Sequence, residues 1–158
     1  MKKEPIYNID HFKADFGKKE LYINTFKNHL KIHPFIEKPH RHNFYLLVLF
    51  TNGSGTHEID FTQYDIKPGS LFVLQPGQIH HWQLSNDIEG YIFFFSQTYF
   101  DLYFADLKAK DFPFFGSIAY PRLLQVSSTH IPEIQTQFEQ VWKEHQEENV
   151  FKNHFIHS

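Results

Sequence analysis

Four short apolar runs, Phe44–Phe50, Thr56–Phe61, Ser70–Leu74 and Glu89–Phe95, follow one another at close spacing. Gly53, Gly55, Pro68-Gly69, Pro76-Gly77 and Asn86-Asp87 supply the punctuation, and no helical period intervenes. Strands this short, spaced this closely, cannot be joined by crossover helices, so the stretch predicts an antiparallel sandwich or barrel. Asn52-Gly53-Ser54-Gly55 offers the positive-φ residues that a tight connection needs. The run Glu89–Phe95 is almost wholly apolar, which argues for burial on both faces.

Outside that block the pattern changes. Residues 1–20 are polar, with Ile6, Ile9 and Phe12 as possible anchors, and read as an N-terminal arm. Glu20 to Lys27 alternates Leu21, Ile23 and Thr25 against Tyr22, Asn24 and Phe26, a first strand that Leu30 and Ile32 would continue until Pro34. Ser96 is placed to cap a short helix over 97–104, residues 106–121 read as loop, and Arg122 to Ser127 as a last strand. Ile131, Ile134, Phe138, Val141, Trp142 and His145 then recur at helical spacing, with Pro132 in the first turn and Ser127, Ser128 and Thr129 as candidate caps. Glu133, Gln137, Gln140, Glu144 and Glu147 fall on the opposite, solvated face. The layout predicted is an arm (1–20), a β-barrel (21–127) and a C-terminal helix with the start of a linker (128–158).

The chain's 158 residues suit one domain with a real core. A formal charge of -3 leaves no basic face for gripping DNA. With no cysteine there is neither a disulfide framework nor a thiolate metal site, a composition suited to the cytoplasm. Neither a signal peptide nor a membrane span is predicted. Nineteen phenylalanines are enough to fill a core and also line a pocket.

Three histidines stand out. His40-x-His42 on a strand puts both rings on one face, since side chains alternate with a period of two. His80 follows Pro76-Gly77 and opens another strand. Converging neutral imidazoles suit a divalent transition metal, and equally the polar groups of a small ligand. His80-His81 has one member inward and one solvated. His11, His29, His33, His57, His130, His154 and His157 are expected to be surface or structural, with no part in a site.

Taken together, His40-x-His42, the Gly53-x-Gly55 turn and Gly69 through Pro76-Gly77-Gln78-Ile79-His80 resemble the two motifs of the cupin superfamily. The closer resemblance is to the N-terminal sensor domains of AraC-type bacterial transcription regulators. It is carried in order by Pro39–Tyr45, Gly53–Asp60, Lys67–Phe72, Gln75–Trp82, Glu89–Ile92, the Phe95–Phe100 stretch and the helix from Ile131, nearly the whole chain. The resemblance implies a mainly β fold, a cupin-type double-stranded β-helix or jelly-roll barrel with a C-terminal α-helix packed against it.

Two departures matter. Metal-binding cupins carry a glutamate soon after the His-x-His pair, where this chain has Tyr45-Leu46-Leu47 with Leu46 in phase. A further ligand expected after the Pro-Gly histidine is replaced by Leu84. The expectation is therefore no cofactor and no catalysis, with a stand-alone metal cupin (isomerase or dioxygenase) using His40, His42 and His80 as the alternative. In arabinose-sensing relatives the pocket is lined at positions that fall here on Lys38, Trp82, Phe93 and Phe95. With His40, His42 and His80 these form the candidate ligand site, for a sugar or small organic acid. The resemblance also implies a homodimer in the full-length protein, and DNA contact only through a helix-turn-helix domain that residues 1–158 do not contain. The chain reads as a sensor domain cut from a longer regulator, or a gene shortened to that domain.

Overall fold

The computed structural model describes residues 6–7, 21–32, 38–103 and 121–157. Their elements run β1 (Ile6–Tyr7), β2 (Leu21–Thr25), α1 (Phe26–Ile32), β3 (His40–His42), β4 (Tyr45–Asn52), β5 (Gly55–Ile59), β6 (Thr62–Ile66), β7 (Ser70–Leu74), β8 (Ile79–Leu84), β9 (Glu89–Phe95), α2 (Gln97–Tyr103), β10 (Leu123–Gln125) and α3 (Ile131–His157). The strands form two five-stranded sheets, in the orders β1-β3-β8-β5-β6 and β10-β7-β4-β9-β2. Every pairing is antiparallel except β1 with β3. The mainly β architecture with a C-terminal helix expected from the sequence is the one observed. What was expected of residues 8–20 and 104–120, of His11 and His33, and of the side chains of His145, Glu147, His154 and His157, lies outside what is described.

The alternation of β4 sets the interior. Leu46, Val48 and Phe50 pair across β9 with Phe94, Ile92 and Gly90, and they meet Tyr22, Phe72, Leu74 and Trp82 in a single buried cluster. At Gly90 the sheet demands a glycine for closeness: a Cβ there would stand 2.1 Å from the Leu49 carbonyl oxygen. Fully burying each of these large apolar side chains contributes roughly 1.5–3 kcal/mol, so the aromatic interior dominates the stability.

One local expectation changes, and three elements take form where the sequence left the conformation open. Residues Phe26–Ile32 form a helix, not an extension of β2: Thr25 Oγ1 accepts the Asn28 N–H (3.3 Å) as an N-cap, and Phe26 and His29 turn together into the core. Phe26 meets the Trp82 ring edge-on at 5.4 Å, and that packing outweighs the strand-like reading. β6 follows a turn that no glycine marks. Asp60 and Phe61 make the turn at φ 47° and 70°, and the Asp60 carboxylate is held there by the Ile79 N–H (3.0 Å) and the Gln78 amide (2.8 Å). Ile6–Tyr7 of the arm is a short strand beside β3. The C-terminal helix continues to His157. Ser96 does cap α2, accepting the Tyr99 N–H at 3.0 Å.

α3 covers the outer face of the second sheet. Phe138 stacks on Tyr91 with ring centroids 5.9 Å apart, and the Tyr91 hydroxyl donates to Glu139 at 2.6 Å. Glu133, Gln137, Gln140 and Glu144 are exposed, as the helical stripe predicted.

Candidate functional site

Antiparallel pairing of β3 with β8 sets His40 directly opposite His80, and the two-residue period brings His42 to the same inner face. His40 and His80 are fully buried and His42 nearly so. Ring centroids lie 4.4 Å apart for His40–His80, 4.7 Å for His40–His42 and 4.9 Å for His42–His80. One ring nitrogen from each falls within 4.8 Å of the others. Phe44 and Phe94 close the side next to His42 (4.5 and 5.5 Å), and Trp82 stands edge-on to His80 at 4.8 Å.

Hydrogen bonds aim two of these rings. His40 Nδ1 lies 2.6 Å from the Lys38 carbonyl. A carbonyl only accepts, so the proton sits on Nδ1 and Nε2 is left as the lone-pair nitrogen. His80 Nδ1 lies 2.9 Å from His57 Nε2. At its other edge, His80 Nε2 is buried with no hydrogen-bond partner among the described residues, and the same holds for Trp82 Nε1.

Burial is the main cause that lowers the pKa of His57 and His80 well below the usual histidine value, with charge repulsion from neighbouring histidines adding to it. His40 is lowered too, chiefly by burial, although the Lys38 hydrogen bond works the other way. These imidazoles are therefore neutral around pH 7, the form that donates a lone pair to a metal. Among the described residues no carboxylate joins the group. Leu46, fully buried, occupies the inward position in phase with the pair, and Leu84 packs on the core. Glu58 is on the outside of β5, 3.6 Å from His81.

The expected lining residues divide. His40, His42, His80 and Trp82 come together. Lys38 does not: its side chain is exposed, and its backbone carbonyl is what reaches His40. Phe93 and Phe95 also face away. They cluster with Leu21, Tyr45 and Leu47 on the outer face of the sheet, where Phe93 lines a cleft of about 190 Å³ under Phe138 and Val141 of α3. The inward side chains of that strand are Ile92 and Phe94. A run as uniformly apolar as Tyr91–Phe95 carries no alternation, so only its register with β4 decides which rings point in.

His29 and His57, expected to be surface or structural, are both buried. His29 is buried in the core against the Tyr22 hydroxyl (2.9 Å). His57, also fully buried, touches the site itself. A signal for His57 existed, since it shares a strand face with Ile59, two residues on.

The AraC-like ligand binding domain family matches residues 31–156. No curated protein matches the sequence. Among solved structures, a conserved SPY1581 protein of unknown function from Streptococcus pyogenes is 14% identical, with a TM-score of 0.39 over 50% of this chain and 67% of that one. Oxalate decarboxylase of Bacillus subtilis is 18% identical with a TM-score of 0.36 over 50% of this chain, which spans only 26% of the decarboxylase. Acireductone dioxygenase from Bacillus anthracis, with a cadmium ion in its active centre, is 18% identical with a TM-score of 0.37 over 56% of each chain. Among the described residues no helix is long and apolar enough to cross a membrane.

Proposed function

As the chain belongs to the AraC-like ligand binding domain family, we propose that it is the small-molecule-sensing domain of an AraC-type transcription regulator, without catalysis of its own. The observation that carries this reading is a polar group gathered inside an otherwise aromatic interior. Three imidazoles from β3 and β8 converge with Trp82, and His80 Nε2 and Trp82 Nε1 have no partner among the described residues. A buried polar atom left unpaired costs about 1–3 kcal/mol, a cost that a bound ligand removes. A hydroxyl or carboxylate oxygen suits the Trp82 N–H, and the ring edges around it suit an apolar carbon face. A sugar or small organic acid fits that description, held by His40, His42, His80 and Trp82.

The signal would leave through β1. Ile6–Tyr7 pairs with the strand that carries His40 and His42, so a ligand that favours one position of β3 also favours one position of the arm. The regulator is a cytoplasmic homodimer, and its DNA contacts come from a helix-turn-helix domain outside residues 1–158. Calorimetric titration of candidate sugars and acids tests the site. Binding heats lost in Trp82→Phe and His80→Gln support it; heats identical to wild type would move the effector elsewhere.

A second reading has a specific observation behind it. His40, His42 and His80 are three nitrogen donors of the kind that hold zinc or another transition metal. Donors around a tetrahedral zinc lie about 3.3 Å apart, from bond lengths near 2.0–2.1 Å. The observed spread of up to 4.8 Å is wider, so the rings would turn inward on binding. The donor set fits. A divalent ion held there would supply Lewis-acid attraction for an anionic ligand, and with it the isomerase or dioxygenase alternative. Elemental analysis decides: a stoichiometric metal in the wild type, lost in His42→Ala, favours this reading over the first.

A further inference from the structure

Taking the histidine cluster as the binding site, we propose that His57 is a positioning residue, which holds His80 by its Nδ1 so that the Nε2 lone pair faces His40 and His42. β5 and β8 pair His57 with Trp82 and Ile59 with His80, so His57 reaches His80 diagonally across the inner face. Aromatic and long side chains span such diagonals. The contact is a 2.9 Å bond from His57 Nε2 to His80 Nδ1.

His57 is itself clamped. Its ring lies 4.5 Å from Phe72 and 4.7 Å from Trp82, and it is fully buried. It cannot swing away without opening a cavity in the core. His80 therefore inherits a fixed ring plane from a neighbour that contributes nothing else to the cluster. The arrangement parallels that of His40, which the Lys38 carbonyl holds at the same ring atom.

Proton counting leaves two arrangements of this bond. Two neutral imidazoles sharing one hydrogen bond have a single proton between them and one more at a far edge. With His80 as donor, its Nε2 is bare and the pair's other proton sits on His57 Nδ1, which is buried with no partner among the described residues. With His57 as donor, His80 presents an N–H instead and cannot bind a metal through Nε2. The first arrangement makes the cluster a three-donor set, and it is the one assigned here. A metal-binding histidine held through its other nitrogen by a second residue is a common device, and loss of such a partner weakens metal affinity 10–100-fold.

The test combines nitrogen-15 NMR of the histidine side chains with Co²⁺ titration followed by visible absorption, on wild type, His57→Phe and His57→Gln. Phenylalanine keeps the ring volume without an acceptor; glutamine supplies a carbonyl that can take the His80 proton. The expected result is a single Nδ1–H tautomer for His80 in wild type and a shift toward Nε2–H in His57→Phe. Co²⁺ affinity should fall 10–100-fold in His57→Phe, with both properties largely restored in His57→Gln. A wild-type His80 carrying its proton on Nε2 would overturn the proposal, whether or not the variants fold. So would an unchanged tautomer in His57→Phe. If the tautomers behave as stated but wild type takes up no Co²⁺, the positioning role stands and the metal reading of the cluster is what falls.

Discussion

Lowering the pH from 7.5 to 5.5 should destabilise this protein through its interior, not its surface. His57 and His80 are fully buried and their pKa values are held well below the ordinary 6.5, mainly by burial. In the unfolded chain both take up protons below that value, whereas in the native state they do not. Stability is thus complete above 6.5 and falls as the pH drops toward the depressed native values. For a histidine that stays neutral while folded, the loss between pH 7.5 and 5.5 is about 1.4 kcal/mol, or roughly 2.7 kcal/mol for the two. His40 acts in the same direction, less strongly because the Lys38 carbonyl favours its charged form. For a chain of this size the pair alone corresponds to a fall in Tm of about 6–10 °C. Urea unfolding in the presence of a chelator, at several pH values across this window, measures it, and His80→Gln should remove about half of the slope. The window stops at 5.5 because carboxylates begin to titrate below it. Equal stability at both pH values, or a slope unchanged in His80→Gln, would show that these rings are not buried and neutral as described.

Three further substitutions probe the frame around the site. Gly90→Ala drives a Cβ against the Leu49 carbonyl oxygen, within the central β4–β9 ladder; the urea midpoint should fall by an amount equivalent to about 1–3 kcal/mol or more, and a wild-type midpoint would contradict that close approach. Phe61→Gly should do the opposite. Phe61 is 81% exposed at φ 70°, so relief of a left-handed strain of about 1–2 kcal/mol outweighs the roughly 0.5–1 kcal/mol of glycine entropy, and a lowered Tm would count against a strained turn. Ser96→Ala removes the acceptor for the Tyr99 N–H and should cost about 1 kcal/mol by thermal melting; no change would mean that α2 does not depend on its cap.

Much of the β framework was legible because turn chemistry is local. Gly53, Pro68-Gly69 and Pro76-Gly77 mark connections wherever they occur, and all three separate observed strands; Gly53, Gly69 and Gly77 adopt φ near 90°. The connection at Asp60-Phe61 is not marked locally, because its left-handed residues are not glycines and are held by contacts from Gln78 and Ile79, distant in sequence. α1 is unmarked for a related reason: its helical faces are defined by Trp82 and Tyr22, which only the folded barrel supplies.

The same division runs through the site. That His40 and His42 share a face follows from the two-residue period alone; that Leu46 stands where a carboxylate would be expected is what the resemblance to metal-binding cupins implies. That His80 lies opposite His40 depends on the pairing of strands about forty residues apart. Whether Phe93 or Phe94 looks inward, and whether His57 belongs with His80, likewise depend on register. A pleated chain alternates whatever it is paired with, so face-sharing within a strand is written into the sequence. Which faces meet is decided only when the two sheets close around a common interior, because that choice minimises exposed apolar area over the whole barrel, not over any one segment.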